Sequence, residues 1–212
     1  MARRLTTVLT EFSRHLREAR RLAADAYTWS SPAATGVRPR ISIGRRDSIT
    51  ELAFLRAFSA WEVFLEEVFI LYLLGQQAPR GRKVHRYGFP PGETAAYEWV
   101  AEGREYARWT PADVRRRADR LFRNGRPFTP VLSCHQNLLS QANTVRNAIA
   151  HDSLNARQKF EAVVRNELQA LPPNTTIGGF LLTTKPRSNP PISFLEFYLD
   201  QIEIAARKLV PM

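Results

Sequence analysis

The chain has one cysteine, four histidines and four lysines in 212 residues. Each scarcity excludes something. A lone Cys134 cannot build a disulfide framework, fits a reducing compartment, and leaves no paired thiols for a structural zinc site. No HExxH, acidic cluster or Cys/His pairing has metal-ligand spacing, so no metal and no cofactor is expected. Cys134 and His135 are adjacent, which points them to different sides of a helix and argues against a thiol–imidazole pair. Neither a phosphate-binding glycine loop nor a dinucleotide fingerprint occurs. The amino-terminal stretch MARRLTTVLTEFSRHLREARR lacks the apolar core and cleavage site of a secretory signal. The longest apolar run, residues 52–74, carries Arg56, Glu62, Glu66 and Glu67. At bilayer depth each of these charges costs about 3 kcal/mol, so the run reads as a buried core helix. A soluble, cytoplasmic protein without membrane contact is expected.

What is abundant is arginine. Lysine and arginine total 31 against 20 acidic residues, a formal charge of +11, and the lysines are only Lys83, Lys159, Lys185 and Lys208. The planar arginine fork matches phosphate oxygens, so the excess favours a phosphate-bearing partner. A GC-rich genome also favours arginine over lysine, but it does not explain the net charge.

Helical periodicity dominates, and the expectation is an all-α fold of four to five main helices in a single domain, residues 1–212. Leu5, Val8, Leu9, Phe12, Leu16, Ala19 and Ala23 stripe a helix over 4–27. A Pro/Gly/Ser loop follows at 30–40. Ser48 and Glu51 match a capping box opening a helix that runs to Gly75. Residues 76–130 form a basic, partly helical insertion: an irregular 75–93 segment, a helix over 94–108, and a short helix capped by Thr110, with Pro111 first and Asp113 in its first turn. A helix over 133–152 follows, then one capped by Asn155. A long loop at 171–191 has an extended piece near 180–183, and a terminal helix begins at Ser193.

The 133–152 helix carries the informative residues. At about 100° per residue, Leu138, Ala142, Val145 and Ile149 form one apolar stripe. Asn143, Arg146, Asn147 and His151 occupy the opposite face. Such a face is either a solvated surface or a cluster suited to a phosphodiester: one fixed cation, one imidazole and two amides. Arg80 and His85 repeat the Arg/His spacing in a Pro/Gly loop without fixed geometry. His15 and His135 have no neighbours at ligand spacing.

SAWEVFLEEVF (59–69) on an early long helix and VRNAIAH (145–151) on a later one together resemble the HEPN superfamily, and within it the RiboL-PSP-HEPN group. The Arg-Asn-x3-His signature falls on Arg146, Asn147 and His151. The likeness extends to AHDSLNARQKF and the terminal FLEFYLDQIEIAARKLV, leaving out 76–130. It implies an up-down helical bundle forming a homodimer in which two signature helices face each other. It also implies a metal-independent endoribonuclease that leaves a 2′,3′-cyclic phosphate. Arg146 would bind the scissile phosphate, His151 would act as general base or acid, and Asn147 would position them. Asn143 lies on the same face, and Glu62 or Ser59 would fill the polar position of the early helix. A toxin or phage-defence role, with a cognate antitoxin or partner protein, follows from the family alone.

The basic segments RGRKVHR and RRRADRLFRNGR, including Arg115, Arg116 and Arg117, read as solvated surface or, beside such a site, as a track for RNA backbone. Tyr87, Trp99, Tyr106 and Trp109 are interleaved there and could stack bases. The alternative function is a non-catalytic RNA-, nucleotide- or protein-binding module. A DNA-binding regulator ranks last for want of a helix-turn-helix.

Overall fold

Residues 3–31 and 39–212 are described by the computed structural model, and most of the loop expected at 30–40 lies outside them. Among the described residues there are nine α-helices and no strand: α1 (Leu5–Ser30), α2 (Ile43–Leu73), α3 (Glu93–Ala101), α4 (Pro111–Leu121), α5 (Phe128–Cys134), α6 (Gln136–Ala150), α7 (Leu154–Leu168), α8 (Ile177–Leu182) and α9 (Phe194–Leu209). Two isolated bridges, Arg86 with Phe122 and Thr184 with Ser193, are the extended pairings among them. None of these helices is long and apolar enough to cross a membrane. The all-α expectation therefore holds.

The chain divides into two compact units. The first takes Met1–Arg14, Ala60–Ser140 and Gln201–Met212. Its core is aromatic: Phe12, Trp61 and Phe64 lie 4.8–5.9 Å apart between ring centroids, and Phe69 meets Phe128 at 4.7 Å. Such ring pairs add stabilisation beyond their buried area. The end of α2 is closed by a side chain remote in sequence. Arg86 donates to the Leu73 carbonyl at 2.7 Å, and its guanidinium lies where a Cβ on Gly75 would stand, at 2.6 Å. Gly75 has φ +99°, so the position suits glycine on both counts. The start of α4 is as the sequence indicates: the Thr110 hydroxyl accepts from the Asp113 amide, with Pro111 first.

The second unit takes His15–Ser59 and Gln141–Asp200. Phe180 stacks on Phe194 at 4.4 Å, and Phe54 meets Tyr198 edge-on at 5.9 Å. Arg20 on α1 bridges Glu196 and Asp200 on α9 at 2.9 and 2.7 Å. The short helix α8 is seated on α2 by two polar contacts. Thr176 donates to Asp47 at 2.6 Å, and the Gly178 amide donates to Glu51 at 2.8 Å.

Those contacts correct the reading of Ser48 and Glu51. α2 begins at Ile43; the Ser48 hydroxyl bonds back to the Gly44 carbonyl, and Glu51 serves α8 instead of its own helix start. Likewise 180–182 is not extended but belongs to α8, capped by Thr176, and only Thr183, just past its end, is extended. The helix expected over 94–108 stops at Ala101, where Glu102 (φ 55°) and Gly103 (φ 75°) take the left-handed conformation that ends a helix. The helix expected over 133–152 is broken at His135, which separates α5 from α6. Finally, Ser153 and not Asn155 caps α7, accepting from the Ala156 amide at 3.2 Å.

Candidate functional site

α6 buries Leu139, Ala142 and Val145 completely, which turns Asn143 and Asn147 to its other side, both half-buried. The helical ladder reaches one residue beyond α6: the His151 amide donates to the Asn147 carbonyl at 3.0 Å. His151 is thus tied to the last turn while its ring is exposed. Three residues later α7 starts, because Ser153 caps it.

The tight link folds the end of α6 and the start of α7 around one cavity of about 330 Å³. Asn143, Thr144 and Asn147 line it from α6, His151 and Ser153 from the link, and Asn155, Ala156 and Lys159 from α7. Three of the four site residues expected on this face, His151, Asn147 and Asn143, are therefore brought together. The fourth, Arg146, is half-buried and is not among the lining residues. It meets the site through its neighbour: Arg146 Nη1 donates to Asn147 Oδ1 at 3.1 Å. That bond points the Asn147 Oδ1 at Arg146 and leaves the amide nitrogen to offer its N–H donors to a ligand.

The electrostatics of the cavity suit an anion. Lys159 supplies a full positive charge. The start of α7 adds the partial positive charge of a helix N-terminus, with no acidic side chain in its first turn. His151 and the Asn147 amide add hydrogen-bond donors. Among the described residues no group of three or more His, Cys, Asp or Glu side chains could hold a metal ion.

Lys159, Thr144, Ser153 and Asn155 escaped the reading from sequence. A signal existed: Asn155 and Lys159 are four apart, hence on one helical face, eight or fewer residues beyond His151. Using it requires knowing that the link is only three residues long.

Ser59 is exposed and Glu62 half-buried on α2. Each of the three expected α4 arginines has a contact within the first unit. Arg117 is 1% exposed and packs over the Trp109 ring at 5.1 Å, so its expected role in binding RNA is withdrawn. Arg116 is exposed but pairs with Glu102 at 2.9 Å, and Arg115 donates to Gln136. Trp109 is itself 9% exposed and cannot stack on a base, whereas Tyr87 and Tyr106 are 63% and 73% exposed. His15 neighbours Glu18 at 3.6 Å, and His135 is buried against Lys208 at 3.4 Å.

No protein-family model, curated protein or solved structure matches the chain.

Proposed function

We propose that the protein is a metal-independent endoribonuclease acting through the cavity at the α6–α7 link. The observation that carries the reading is the convergence of His151, Asn147, Asn143 and Lys159 on one cavity, with Arg146 hydrogen-bonded to Asn147. These are the groups that transfer within an RNA strand requires. His151 takes the proton of the ribose 2′-hydroxyl as that oxygen attacks phosphorus. The bond from phosphorus to the 5′-oxygen breaks, and the departing oxygen receives a proton from an acid. The products are a 2′,3′-cyclic phosphate and a 5′-hydroxyl. Lys159, the Asn147 amide and the start of α7 face the negative charge that builds on the phosphoryl oxygens. Arg146 holds the Asn147 side chain in that orientation and adds its own charge behind it.

One cavity contains one imidazole, and the reaction needs both a base and an acid. A homodimer in which a second copy brings its own His151 to the same strand supplies the missing acid. A HEPN-type pairing of two signature helices has this property. A toxin or defence role, with an inhibitory partner protein, belongs to the same proposal.

The test is turnover. Purified protein incubated with mixed RNA in EDTA should generate fragments ending in cyclic phosphate, and a protein lacking the Arg146 or His151 side chain should not. The second reading is a binding module for RNA or a nucleotide phosphate that does no chemistry. It is favoured by the position of Arg146 outside the cavity lining. Retention of intact RNA by the protein, with no fragments at any magnesium or EDTA concentration, selects that reading over the first.

A further inference from the structure

A second cavity, of about 420 Å³, lies in the first unit between α2, α3 and the residues joining α3 to α4. It owes nothing to the α6–α7 site, and its chemistry is the reverse. Glu66, Glu98 and Glu105 line it, along with Tyr97, Tyr106 and Trp109. Arg104 is the one cation among the described lining residues. In a chain of net charge +11, a concavity with three carboxylates against one guanidinium is not a sample of the average surface.

The neighbourhood deepens the imbalance. The Tyr97 hydroxyl hydrogen-bonds to Glu66, and its pKa is pushed up to about 12 by burial and then by the charges of Glu66 and Glu93. Burial also pushes the adjacent Glu67 carboxyl above the usual range. Arg3 opposes this, while Glu11, Glu66 and Glu93 add to it. Other carboxylates nearby have their cations: Glu102 binds Arg116 and Arg120 at 2.9 and 2.7 Å, and Glu67 binds Arg3. Glu98 and Glu105 enter no ion pair among the described residues.

Carboxylates set among aromatic faces recognise one ligand chemistry well. A cation gains Coulomb attraction from the former and quadrupole attraction from the latter, and an apolar body attached to it covers the rings. Tyr106 at 73% and Tyr97 at 36% exposed present ring surface that such a body would cover. Anionic ligands, RNA included, are repelled. The left-handed turn at Glu102 and Gly103 is what carries residues 103–107 back against α3 and makes the concavity.

We infer that the cavity bounded by Glu66, Glu98, Glu105, Tyr97 and Tyr106 binds an organic ammonium, an amine carried on an apolar chain. A free polyamine and a lysine side chain of a partner protein share this chemistry. Calorimetric titration of the full-length protein with spermidine, and separately with N-acetyl-lysine methylamide, distinguishes the two sources. Saturable one-site binding of either probe supports the assignment, and the probe that binds names the source.

The Glu98→Gln, Glu105→Gln double variant should weaken that binding by about tenfold, since two charge contacts are lost together. Both side chains are exposed, so the fold is unaffected, and circular dichroism checks this. Tyr106→Ala should weaken binding as well, by removing the ring that covers the methylene chain. Lys159→Gln, in the other cavity, should leave it unchanged. Absence of saturable binding for both probes overturns the inference, as does binding that the double variant leaves intact. Neither outcome bears on RNA cleavage.

Discussion

Replacing His151 with alanine separates chemistry from architecture. The side chain is exposed and lies beyond the last residue of α6, and the bond that ties His151 to the helix, amide to Asn147 carbonyl at 3.0 Å, is made by backbone that alanine retains. Surface changes of this kind alter stability by no more than about 0.5 kcal/mol. For a chain of this length that is a melting shift of about 2 °C or less. The catalytic expectation is far larger. A positioned acid or base contributes about 10²–10⁴ in rate, equal to about 2.7–5.4 kcal/mol at 1.36 kcal/mol per decade. The assay is single-turnover cleavage of a fluorogenic RNA in EDTA, with wild type and variant purified in parallel so that a contaminating nuclease appears in both. The rate constant should fall by at least about a hundredfold while RNA binding, measured by anisotropy, changes by less than about threefold. A variant that folds normally and cuts at the wild-type rate refutes the assignment of His151. A variant that loses cutting and binding together shows that the imidazole holds RNA and performs no proton transfer.

Lys159→Gln removes the full charge that lines the same cavity; RNA affinity should fall and the plot of log K against log salt should flatten by about 0.7, the value for one phosphate of a single strand. Filter binding across a salt series checks this, and an unchanged slope places Lys159 outside the interface. Gly178→Ala should destabilise by about 3 kcal/mol, because the added Cβ would lie 2.3 Å from the Asp47 carbonyl oxygen where α8 crosses α2. Thermal denaturation should then show a melting temperature lower by about 6–12 °C. Arg117→Met should be neutral or stabilising, since Nε and Nη1 of this buried guanidinium have no hydrogen-bond partner and burial holds its pKa below the usual range. A loss above about 1 kcal/mol in urea denaturation contradicts this. The His135 imidazole is held below its ordinary pKa by burial and then by Lys208, against the hydrogen bond it donates to Gln201. The unfolded chain therefore binds this proton first, so stability should fall as pH drops below about 6.5, the ordinary histidine value, and His135→Gln should lose that part of the pH dependence.

Where local chemistry decides an element, the sequence is sufficient. Thr110, Pro111 and Asp113 start α4 as their side chains require, and the apolar stripe of α1 is buried as its spacing indicates. Errors cluster where a distant partner decides. Ser48 and Glu51 have the spacing of a capping box, but the amide that claims Glu51 belongs to Gly178, 127 positions away. The break at His135 has neither glycine nor proline to announce it. His135 leaves the helical conformation (φ −107°, ψ 13°), buried against Lys208 of α9. Residues 177–182 have two glycines that suggest a loop. They are helical because Thr176 caps them and because only glycine at 178 admits the close approach of Asp47.

The candidate site shows the same division. That Asn143, Asn147 and His151 share one face is legible from the helical period, which the chain keeps one residue past the end of α6. Lys159 was not, since its approach depends on how Ser153 turns the chain between two helices. Charge was the least legible quantity, because a count of arginines does not reveal which are engaged. Arg20, Arg86 and Arg116 are held by Glu196 and Asp200, the Leu73 carbonyl and Glu102 respectively, while Arg117 is buried. Of the two basic segments, the one on α4 is engaged only in part: Arg116 and Arg120 share Glu102, whereas Arg123 and Arg126 just beyond the helix are exposed and enter no ion pair among the described residues. The other retains its field: Arg80, Arg82 and Lys83 are exposed and enter no ion pair among the described residues. If the proposed function is right, exposed cations such as these in the first unit and Lys159 in the second would attract RNA, and the acidic cavity beside Tyr106 would repel it.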